Sequence, residues 1–224
     1  MVRMKKTITE ISAQKRNRRR VNISLNGSYA FSLDRITAAW LQVGRELSDA
    51  EIEQLQMRDE VEVAFNQALN LLSHRSRSVA EMTRYLEGKG YAPGTLKAVL
   101  AQLEEEGLLN DDRFAREWIE NRSTFRPRSQ SQLRAELRFK GLEESSIDSA
   151  LEESGVDDAA LAMAAARKQA HRYLSSDYET YRKKLGNALL RRGFSYATVN
   201  DTLRTLWDEM QHSETVESNK LWSN

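Results

Sequence analysis

The chain has 224 residues, of which 30% are charged and 40% hydrophobic, with two prolines, no cysteine and a formal net charge of +1. The lack of cysteine excludes disulfides and thiolate chemistry and fits a reducing compartment. No apolar run is long enough to span a bilayer, and the N-terminus lacks the hydrophobic stretch of a signal peptide, so we expect a cytoplasmic protein without membrane contact.

The first segment of the chain is strongly basic. Residues 1–30 carry eight lysines and arginines against one acidic residue, and residues 1–17 show no hydrophobic periodicity. A stretch without a repeating apolar face has no surface to pack against a core. We therefore predict a mobile basic arm over residues 1–17.

A β-hairpin is predicted directly after this arm. Apolar and polar residues alternate on both sides of Asn26-Gly27, and the apolar ones are Val21, Ile23, Leu25, Tyr29, Phe31 and Leu33. An Asn-Gly pair between two alternating runs is a strong hairpin signal, because both residues tolerate the positive φ of a tight turn. An isolated hairpin is only marginally stable, so we expect it to pack on a short helix carrying Ile36, Trp40 and Leu41.

A longer helix is predicted to begin after Ser48. Ser48 and Glu51 have the spacing of a capping box, and Ile52 and Leu55 provide the first apolar positions of the helix. The hairpin and this helix together form a predicted N-terminal module over residues 18–58.

The rest of the chain contains three copies of one sequence pattern. Gly90, Gly141 and Gly193 are spaced 51 and 52 residues apart, and each follows a cation and precedes an apolar residue. Apolar residues recur eight and four positions before each glycine and six and ten positions after it, namely Met82, Leu86, Leu96, Leu100, Leu133, Leu137, Ile147, Leu151, Leu185, Leu189, Val199 and Leu203. A fixed period marks repeated units that stack, because each is too small to bury its own apolar face.

Each copy predicts three helices. One helix ends at the glycine, which can adopt the left-handed conformation of a helix stop, a second follows it, and a third precedes both. Ser78 and Ser129 have capping-box spacing, and Pro93 suits a first helical turn. The sequence thus predicts an all-α protein with a small β-hairpin and helix extension, three tandem three-helix repeats over residues 59–107, 108–155 and 156–210, and a flexible tail over residues 211–224.

The charges are segregated along the chain. Residues 107–140 carry eight cations against five acids, 141–160 none against seven, and 161–207 nine against three. A neutral chain with such bands can still present a basic groove to a phosphate backbone, although any single charged residue is more often on a solvated helix face. The candidate binding residues are Arg75, Arg77, Arg122, Arg126, Arg128, Arg134, Lys140, Arg182, Lys183, Lys184, Arg191 and Arg192.

Catalytic or cofactor chemistry has little support in the sequence. The three histidines, His74, His171 and His212, have no metal-ligand spacing, and Gly88-Lys89-Gly90 lacks the remaining residues of a phosphate loop. Asp111-Asp112 is better suited to opening a helix than to a catalytic pair. Because Phe114, Trp118 and Phe139 have helical spacing, we expect them in the core rather than stacked on bases.

Four blocks of this chain resemble the RecX family, regulatory proteins that modulate the RecA recombinase. The resemblance covers about residues 60–210, and the hairpin segment resembles the N-terminal extension of longer members. The blocks are Arg75-Ser76-Arg77-Ser78 with Lys89-Gly90; Leu108-Leu109-Asn110-Asp111-Asp112-Arg113-Phe114-Ala115 with Trp118-Ile119 and Arg122; Glu136-Leu137 with Lys140-Gly141; and Arg191-Arg192-Gly193-Phe194.

The resemblance implies a function. Members of this family are all-helical, bind along the groove of the RecA–single-stranded DNA filament, restrain ATP hydrolysis and strand exchange, and are not enzymes. By this resemblance we expect a monomeric regulator without cofactors that inhibits the ATPase, co-protease and strand-exchange activities of the filament. Its partners would be the RecA filament and single-stranded DNA, contacted directly or through the filament.

Two alternatives remain open at this level. The helices that meet at each glycine also resemble a helix-turn-helix, which would make the protein a sequence-specific DNA-binding regulator reading bases with Arg, Asn or Gln. Repetition over three units argues for an extended binding surface instead. A helical-repeat scaffold for protein interactions, without any nucleic-acid contact, is the second alternative.

Overall fold

The computed structural model of the protein describes residues 5–173 and 176–221, with the backbone alone described from residue 213 onwards. The chain divides into two compact units, Met1–Leu109 and Asn110–Asn224. The first unit holds the β-strands and the first helical repeat, and the second holds the other two repeats.

The first unit begins with a four-stranded antiparallel sheet of order β3-β2-β1-β4. Its strands are β1 (Lys6–Ala13), β2 (Arg20–Leu25), β3 (Ser28–Asp34) and β4 (Glu46–Leu47). The predicted hairpin is confirmed, since β2 pairs with β3 and the turn residues Asn26 and Gly27 have φ of 50° and 83°. Alternate strand residues such as Ile23 and Leu33 are fully buried, as the pattern requires.

The prediction of a mobile arm over residues 1–17 is wrong for most of that stretch. Lys6–Ala13 forms β1, which pairs with β2 and buries Ile8 completely. A register shift between Ile8 and Glu10 interrupts the alternation of side chains along this strand. An irregularity of this kind removes the period-two pattern that would reveal a strand in the sequence. Residues 1–4 lie outside the described residues.

The short helix predicted after the hairpin is also absent from the described residues. Residues 35–40 form turns instead, in which Leu41 is buried but Ile36 and Trp40 are 75% and 48% exposed. The turns still contribute to the hydrophobic core of the hairpin, because Ala38 and Leu41 are buried in it together with Ile8 and Leu47.

The helix α1 (Asp49–Leu72) crosses the predicted boundary between residues 58 and 59, so that boundary is wrong. The predicted capping box is complete: Ser48 Oγ accepts from the Glu51 N–H at 3.3 Å, and the Glu51 carboxylate accepts from the Ser48 N–H at 2.8 Å. The bonds that the Glu51 carboxylate accepts from the Ser48 N–H and from the Ser48 hydroxyl lower the pKa of Glu51. Further along, Arg20 of the sheet donates to buried Asp59 at 2.8 Å, which ties the sheet to the helix that also opens the first repeat.

Nine α-helices lie within the described residues, as the repeat pattern predicts. After α1 come α2 (Val79–Gly88), α3 (Pro93–Glu105), α4 (Asp111–Phe125), α5 (Gln130–Phe139), α6 (Glu144–Ser154), α7 (Asp158–Ala170), α8 (Tyr178–Leu190) and α9 (Tyr196–Leu221). The end of α1 with α2 and α3 makes repeat 1, α4–α6 make repeat 2, and α7–α9 make repeat 3. The tail predicted as flexible is helical as far as Leu221, and residues 222–224 lie outside the described residues.

The three repeat glycines have equivalent conformations after the second helix of each repeat. Gly90, Gly141 and Gly193 have φ of 85°, 88° and 87°, which glycine adopts without the strain that a Cβ atom causes. Ser78 and Ser129 cap α2 and α5 as predicted, and the Oγ of each accepts from the N–H three residues later at 3.2 Å. The period in the sequence therefore corresponds to a repeated arrangement of helices, caps and glycine turns in the structure.

The second and third repeats share one hydrophobic core. Leu133 and Leu137 of α5 are fully buried in it together with Leu185 and Leu189 of α8. Repeat 1 has a separate core of its own, with Met82 among its fully buried residues. The basic side chains of α4, α5 and α8 are therefore positioned on one packed body.

Candidate functional site

A nearly buried carboxylate, Glu136, gathers several of the predicted basic residues. Its Oε2 accepts from Arg122 Nε and from Trp118 Nε1, both at 2.8 Å, and its Oε1 is 2.8 Å from an Arg128 guanidinium nitrogen. Arg122 and Arg128 come from the end of α4 and the loop after it, and Glu136 lies on α5. Bonds of this charge-assisted kind hold planar guanidinium groups in a defined orientation.

Cations also lie over the indole of Trp118. The Arg122 Cζ is 4.4 Å from the ring centroid, and Lys140 Nζ is 4.9 Å from it. An ammonium or guanidinium group at this distance is attracted by the negative face of the ring. We call the set Trp118, Arg122, Arg128, Glu136 and Lys140 the Glu136 cluster, and its charge is three cations against one carboxylate.

The end of α8 meets this cluster through an unusually close approach. The Ser129 N–H donates to the Arg192 carbonyl at 3.1 Å, and a Cβ atom on Gly193 would lie 2.5 Å from Ser129 Oγ. Glycine at this position therefore lets repeat 3 pack directly on the first turn of α5. Burial lowers the pKa of Arg192, and the nearby charges of Arg128 and Arg191 lower it further. Arg192 thus adds a fourth cation beside the Glu136 cluster.

A second feature follows from the repeat period. In each repeat the second and third helices form a groove. Residues at the same positions relative to the repeat glycine make its walls. The grooves of repeats 1 and 3 are both lined by the residues 11, 7 and 3 positions before the glycine and 3, 6, 7 and 10 positions after it. The chemistry at these equivalent positions differs between the repeats.

In repeat 2 ion pairs close the groove. Arg134 is paired with Asp148 and lies 3.4 Å from Glu144, and Arg138 is paired with Glu144. These four residues occupy the positions 7 and 3 before the glycine and 3 and 7 after it. Arg134, which the sequence predicts as a binding residue, is therefore engaged within its own repeat. The bond from Arg138 lowers the pKa of Glu144.

In repeat 3 the same groove is open and basic. Gly186 replaces the side chain that Arg134 provides in repeat 2, and a cavity of about 230 Å³ lies between α8 and α9. Arg182 and Lys183 line it without an ion pair among the described residues, and Arg182 is 3.4 Å from the hydroxyl of Tyr196, whose side chain is 62% exposed. The lining also includes one carboxylate, Glu179, and the amides of Asn187 and Asn200.

The groove of repeat 1 has about 520 Å³ and is mainly apolar, with Val79, Leu96 and Leu100 in its walls. The two predicted arginines of this repeat lie elsewhere. Arg75 makes two bonds to Glu81 at 2.9 and 3.0 Å, and Arg77 has a buried Nε without a hydrogen-bond partner. Neither of them lines this groove.

The remaining predicted residues lie at the margins of the second unit. Arg126 is exposed at the end of α4, and Arg191 is exposed at the end of α8. Lys184 also lies on α8, where its Nζ is 6.0 Å from the ring centroid of Tyr173. The twelve predicted residues thus fall into three sets. One set lies in or beside the Glu136 cluster, a second lines the open groove, and the others lie at separate positions.

Sequence reasoning missed two parts of this arrangement. Phe139, expected in the core, is 79% exposed, because it follows the last buried turn of α5. Glu136 was visible in the sequence as part of the block Glu136-Leu137 but was not recognised as the carboxylate that orients the arginines. Trp118 is only partly buried, and its indole N–H binds Glu136, whereas Phe114 is buried as predicted.

Comparison with known proteins identifies the family. Four family models match in chain order: the regulatory protein RecX N-terminal domain over residues 6–48 and the first, second and third three-helix domains of RecX over residues 64–103, 110–151 and 157–203. A regulatory protein RecX of Bacillus pumilus is 33% identical over 217 residues, which cover 94% of this chain and 81% of that protein. The chain belongs to the RecX family.

Further RecX proteins support the assignment over the full fold. The regulatory protein RecX of Bacillus subtilis is 32% identical and matches 96% of this chain and 81% of its own length. A crystal structure of regulatory protein RecX superposes with a TM-score of 0.65 at 26% identity, covering 87% of this chain and 97% of that one. A second structure, of RecX from Lactobacillus salivarius, gives a TM-score of 0.55 at 23% identity over 66% of this chain and 97% of that chain, and shows the fold alone.

The described residues show neither a metal site nor a membrane-spanning helix. They contain no group of three or more His, Asp or Glu side chains arranged to hold a metal ion. Within the same residues no helix has the length and apolar character needed to cross a bilayer.

Proposed function

We propose that this RecX-family protein binds the RecA–single-stranded DNA filament and inhibits its ATPase, co-protease and strand-exchange activities without catalysing a reaction. The family assignment over nearly the whole chain carries the proposal, since the relatives that it matches are named regulatory proteins. Such a regulator works where the recombinase and the DNA are, in the cytoplasm. It needs no cofactor, because its effect comes from occupying the filament surface.

The open groove of repeat 3 and the margin of the Glu136 cluster are the proposed contact surfaces. Arg182 and Lys183 are free to pair with phosphates, and Arg192 and Lys140 add positive charge beside the cluster. Arginine also binds carboxylates in two-pronged fashion, so that the same surfaces suit acidic patches on the recombinase. In both cases the contribution of these residues falls as salt rises.

The structure also narrows the set of candidate contacts. Arg134 and Arg75 are engaged with carboxylates of their own repeats, so we assign them to stability rather than to binding. The guanidinium groups of Arg122 and Arg128 pair with Glu136. These two arginines therefore contribute to filament binding indirectly, by stabilising the Glu136 cluster.

The sequence-specific DNA-binding alternative has less support. A helix-turn-helix needs one exposed helix with free base-reading side chains. In repeat 2 the outward arginines of α5 are bound to Glu144 and Asp148, and in repeat 1 the equivalent positions are Thr83 and Glu87. Three repeats with different grooves suit an extended filament contact better than repeated reading of one base sequence.

A recombinase ATPase assay on single-stranded DNA tests the function. We expect ATP hydrolysis to fall when this protein is added at amounts well below those that saturate the DNA. Inhibition that requires depletion of naked DNA would instead mean simple competition, and no inhibition at any ratio would contradict the proposal.

Paired variants test the surface. Arg182→Ala with Lys183→Ala should raise the concentration needed for half-inhibition by about tenfold, the effect of losing roughly 1.4 kcal/mol of contact energy. The matched control is Arg113→Ala with Arg116→Ala, which removes the same charge from a face where these arginines pair with Glu117 and Glu153. Equal inhibition by both pairs of variants would show that the groove is not part of the interface with the filament.

A further inference from the structure

The first unit contains a large cavity that is lined by none of the twelve predicted binding residues. It has a volume of about 920 Å³ and opens between the sheet and the helices α1 and α2. Four of its lining residues are arginines, and three of them, Arg18, Arg19 and Arg35, carry no ion pair within the described residues. None of them belongs to the sequence pattern that recurs in the repeats.

The protein backbone holds these arginines at one end of the hairpin. Arg18 and Arg19 lie in the turn before β2, where the Arg19 N–H donates to the Asn17 side chain at 3.1 Å. Arg35 follows β3, and its N–H donates to the Arg19 carbonyl at 2.7 Å. Three cations on bonded turns are therefore presented together at the rim, rather than scattered on mobile segments.

The opposite wall is made by amides on one face of α1. Asn66, Gln67 and Asn70 line the cavity, and the Gln67 Oε1 is buried without a hydrogen-bond partner. The Gln67 oxygen has no exposed surface, so the exposed amides of Asn66 and Asn70 are the ones that a ligand can reach. Ile36, which is 75% exposed, and Tyr85 add apolar surface to the same cavity.

Two carboxylates, Asp34 and Glu62, also line the cavity, but the arginines outnumber them. Asp34 accepts from the Ile36 N–H at 2.9 Å, and Glu62 accepts from the Asn66 amide at 2.9 Å. Arg20, the remaining arginine of the lining, is paired with Asp59. With four arginines against two carboxylates the lining keeps a positive charge, and it offers a ligand three unpaired cations, amide groups and an apolar surface.

We propose that this cavity binds an extended acidic peptide segment of a partner protein, with an apolar side chain seated against Ile36 and Tyr85. Carboxylates of the segment pair with Arg18, Arg19 and Arg35, and its backbone N–H and C=O groups bond to the amides of α1. Single-stranded DNA carries its hydrogen-bond donors only on the bases, whereas a peptide backbone presents an N–H and a C=O at every residue, which suits the row of amides on α1. This regular spacing of donors and the apolar surface favour a peptide over single-stranded DNA.

The site adds a second attachment point to the proposed function but does not depend on it. Binding of a peptide to the first unit can be measured without recombinase or DNA, so that failure of either proposal leaves the other testable. Two weak attachments in one chain would strengthen the overall binding by raising the local concentration of the second contact.

The test uses the full chain and arrays of short labelled peptides. One array combines acidic residues with one or two leucines, a second replaces the acids by lysine, a third replaces the leucines by serine, and labelled oligothymidylate serves as the nucleic-acid probe. We expect the acidic peptides with leucine to bind best. The proposal is overturned if they bind no better than the other arrays, or if only the oligothymidylate binds and Arg18→Ala with Arg35→Ala abolishes that binding.

Variants locate the peptide on the protein. Arg18→Ala with Arg35→Ala should weaken the best peptides by about tenfold or more and reduce their salt dependence. The control Arg58→Ala with Arg84→Ala removes the same charge outside the cavity and should leave binding within about twofold. Asn70→Ala changes no charge and should weaken binding by a factor that persists at high salt. Peptide binding that is equal in all three variants would show that the cavity is not the site.

Discussion

Repeats 2 and 3 build the same groove between their second and third helices and use it in opposite ways. In repeat 2 the positions 7 residues before and after the glycine are Arg134 and Asp148, which pair across the groove. In repeat 3 they are Gly186 and Asn200, and the groove is open. The apolar positions are equivalent in both, so the shared fold leaves the polar positions free to differ.

The difference shows how one repeated unit can supply both rigidity and a binding surface. Exposed ion pairs contribute little to stability individually, but a network across a groove excludes a ligand from it. A glycine at the matching position costs some helix stability and leaves space next to Arg182 and Lys183. Charge counts along the chain cannot separate these two outcomes, because both repeats are rich in arginine and lysine.

The largest effect is expected where the two repeats touch. Gly193→Ala forces a Cβ into a residue with φ of 87° and to within 2.5 Å of Ser129 Oγ. We expect a loss of about 3 kcal/mol in unfolding free energy, from left-handed strain together with overpacking. The measurement is denaturant unfolding of the full chain.

Gly155→Ala is the matched control for that variant. Gly155 also has positive φ and lies in the same unit, but nothing lies within 4 Å of an added Cβ. Its cost should be about 1 kcal/mol, from backbone strain alone. Similar losses in both variants would mean that the contact between Gly193 and Ser129 is not close.

The Glu136 cluster should respond next most strongly. Glu136→Gln keeps the size of the side chain but removes the charge that orients Arg122 and Arg128, and we expect about 2 kcal/mol of destabilisation. Repeat 3 has Ala188 at the equivalent position and needs no such carboxylate. Exposed Glu120→Gln on α4 is the control. If both substitutions leave the unfolding midpoint unchanged, Glu136 does not organise the cluster.

Closing the open groove tests its role directly. Gly186→Arg with Asn200→Asp copies the closing pair of repeat 2 into repeat 3, and Leu203 must yield slightly because its Cδ1 is 3.3 Å from an added Cβ. We expect roughly tenfold weaker inhibition of the recombinase ATPase in a protein that still folds. Thr83→Arg with Lys97→Asp makes the same change in repeat 1 and should leave inhibition unaltered. Full activity of the first variant would exclude the groove from the interface.

The smallest effect concerns pH. The bond from Arg138 lowers the pKa of Glu144 below its ordinary value of 4.5, so its contribution to stability is present above that value and is lost as pH falls through the lowered pKa. Carboxyl NMR titration should show Glu144 ionising at lower pH in the parent than in Arg138→Ala. Identical titration curves would mean that the pair is open in solution. Because both side chains are about half exposed, the change in overall stability should be slight.

The repeats were predictable from sequence because their signals are local. Helix-stop glycines, serine caps and apolar spacing act within one or two turns of helix, and Ser78, Ser129, Gly90 and Gly141 all have the predicted roles. The strand β1 was not predictable, since an irregularity in its pairing with β2 hides its alternating pattern. The fusion of two expected helices into α1 agrees with the local sequence, since residues 49–72 contain no glycine or proline that would end a helix.

The sequence by itself determined the number of repeats, their helices and the hairpin, because hydrophobic period and turn chemistry are properties of neighbouring residues. Only the tertiary structure decided which cations are available. Arg134 and Arg182 lie 7 and 11 residues before the glycines of their repeats, but Arg134 pairs with Asp148 across its groove, whereas Arg182 has no ion pair within the described residues. That difference arises because the availability of a charge depends on the residues packed opposite it, which lie on another helix.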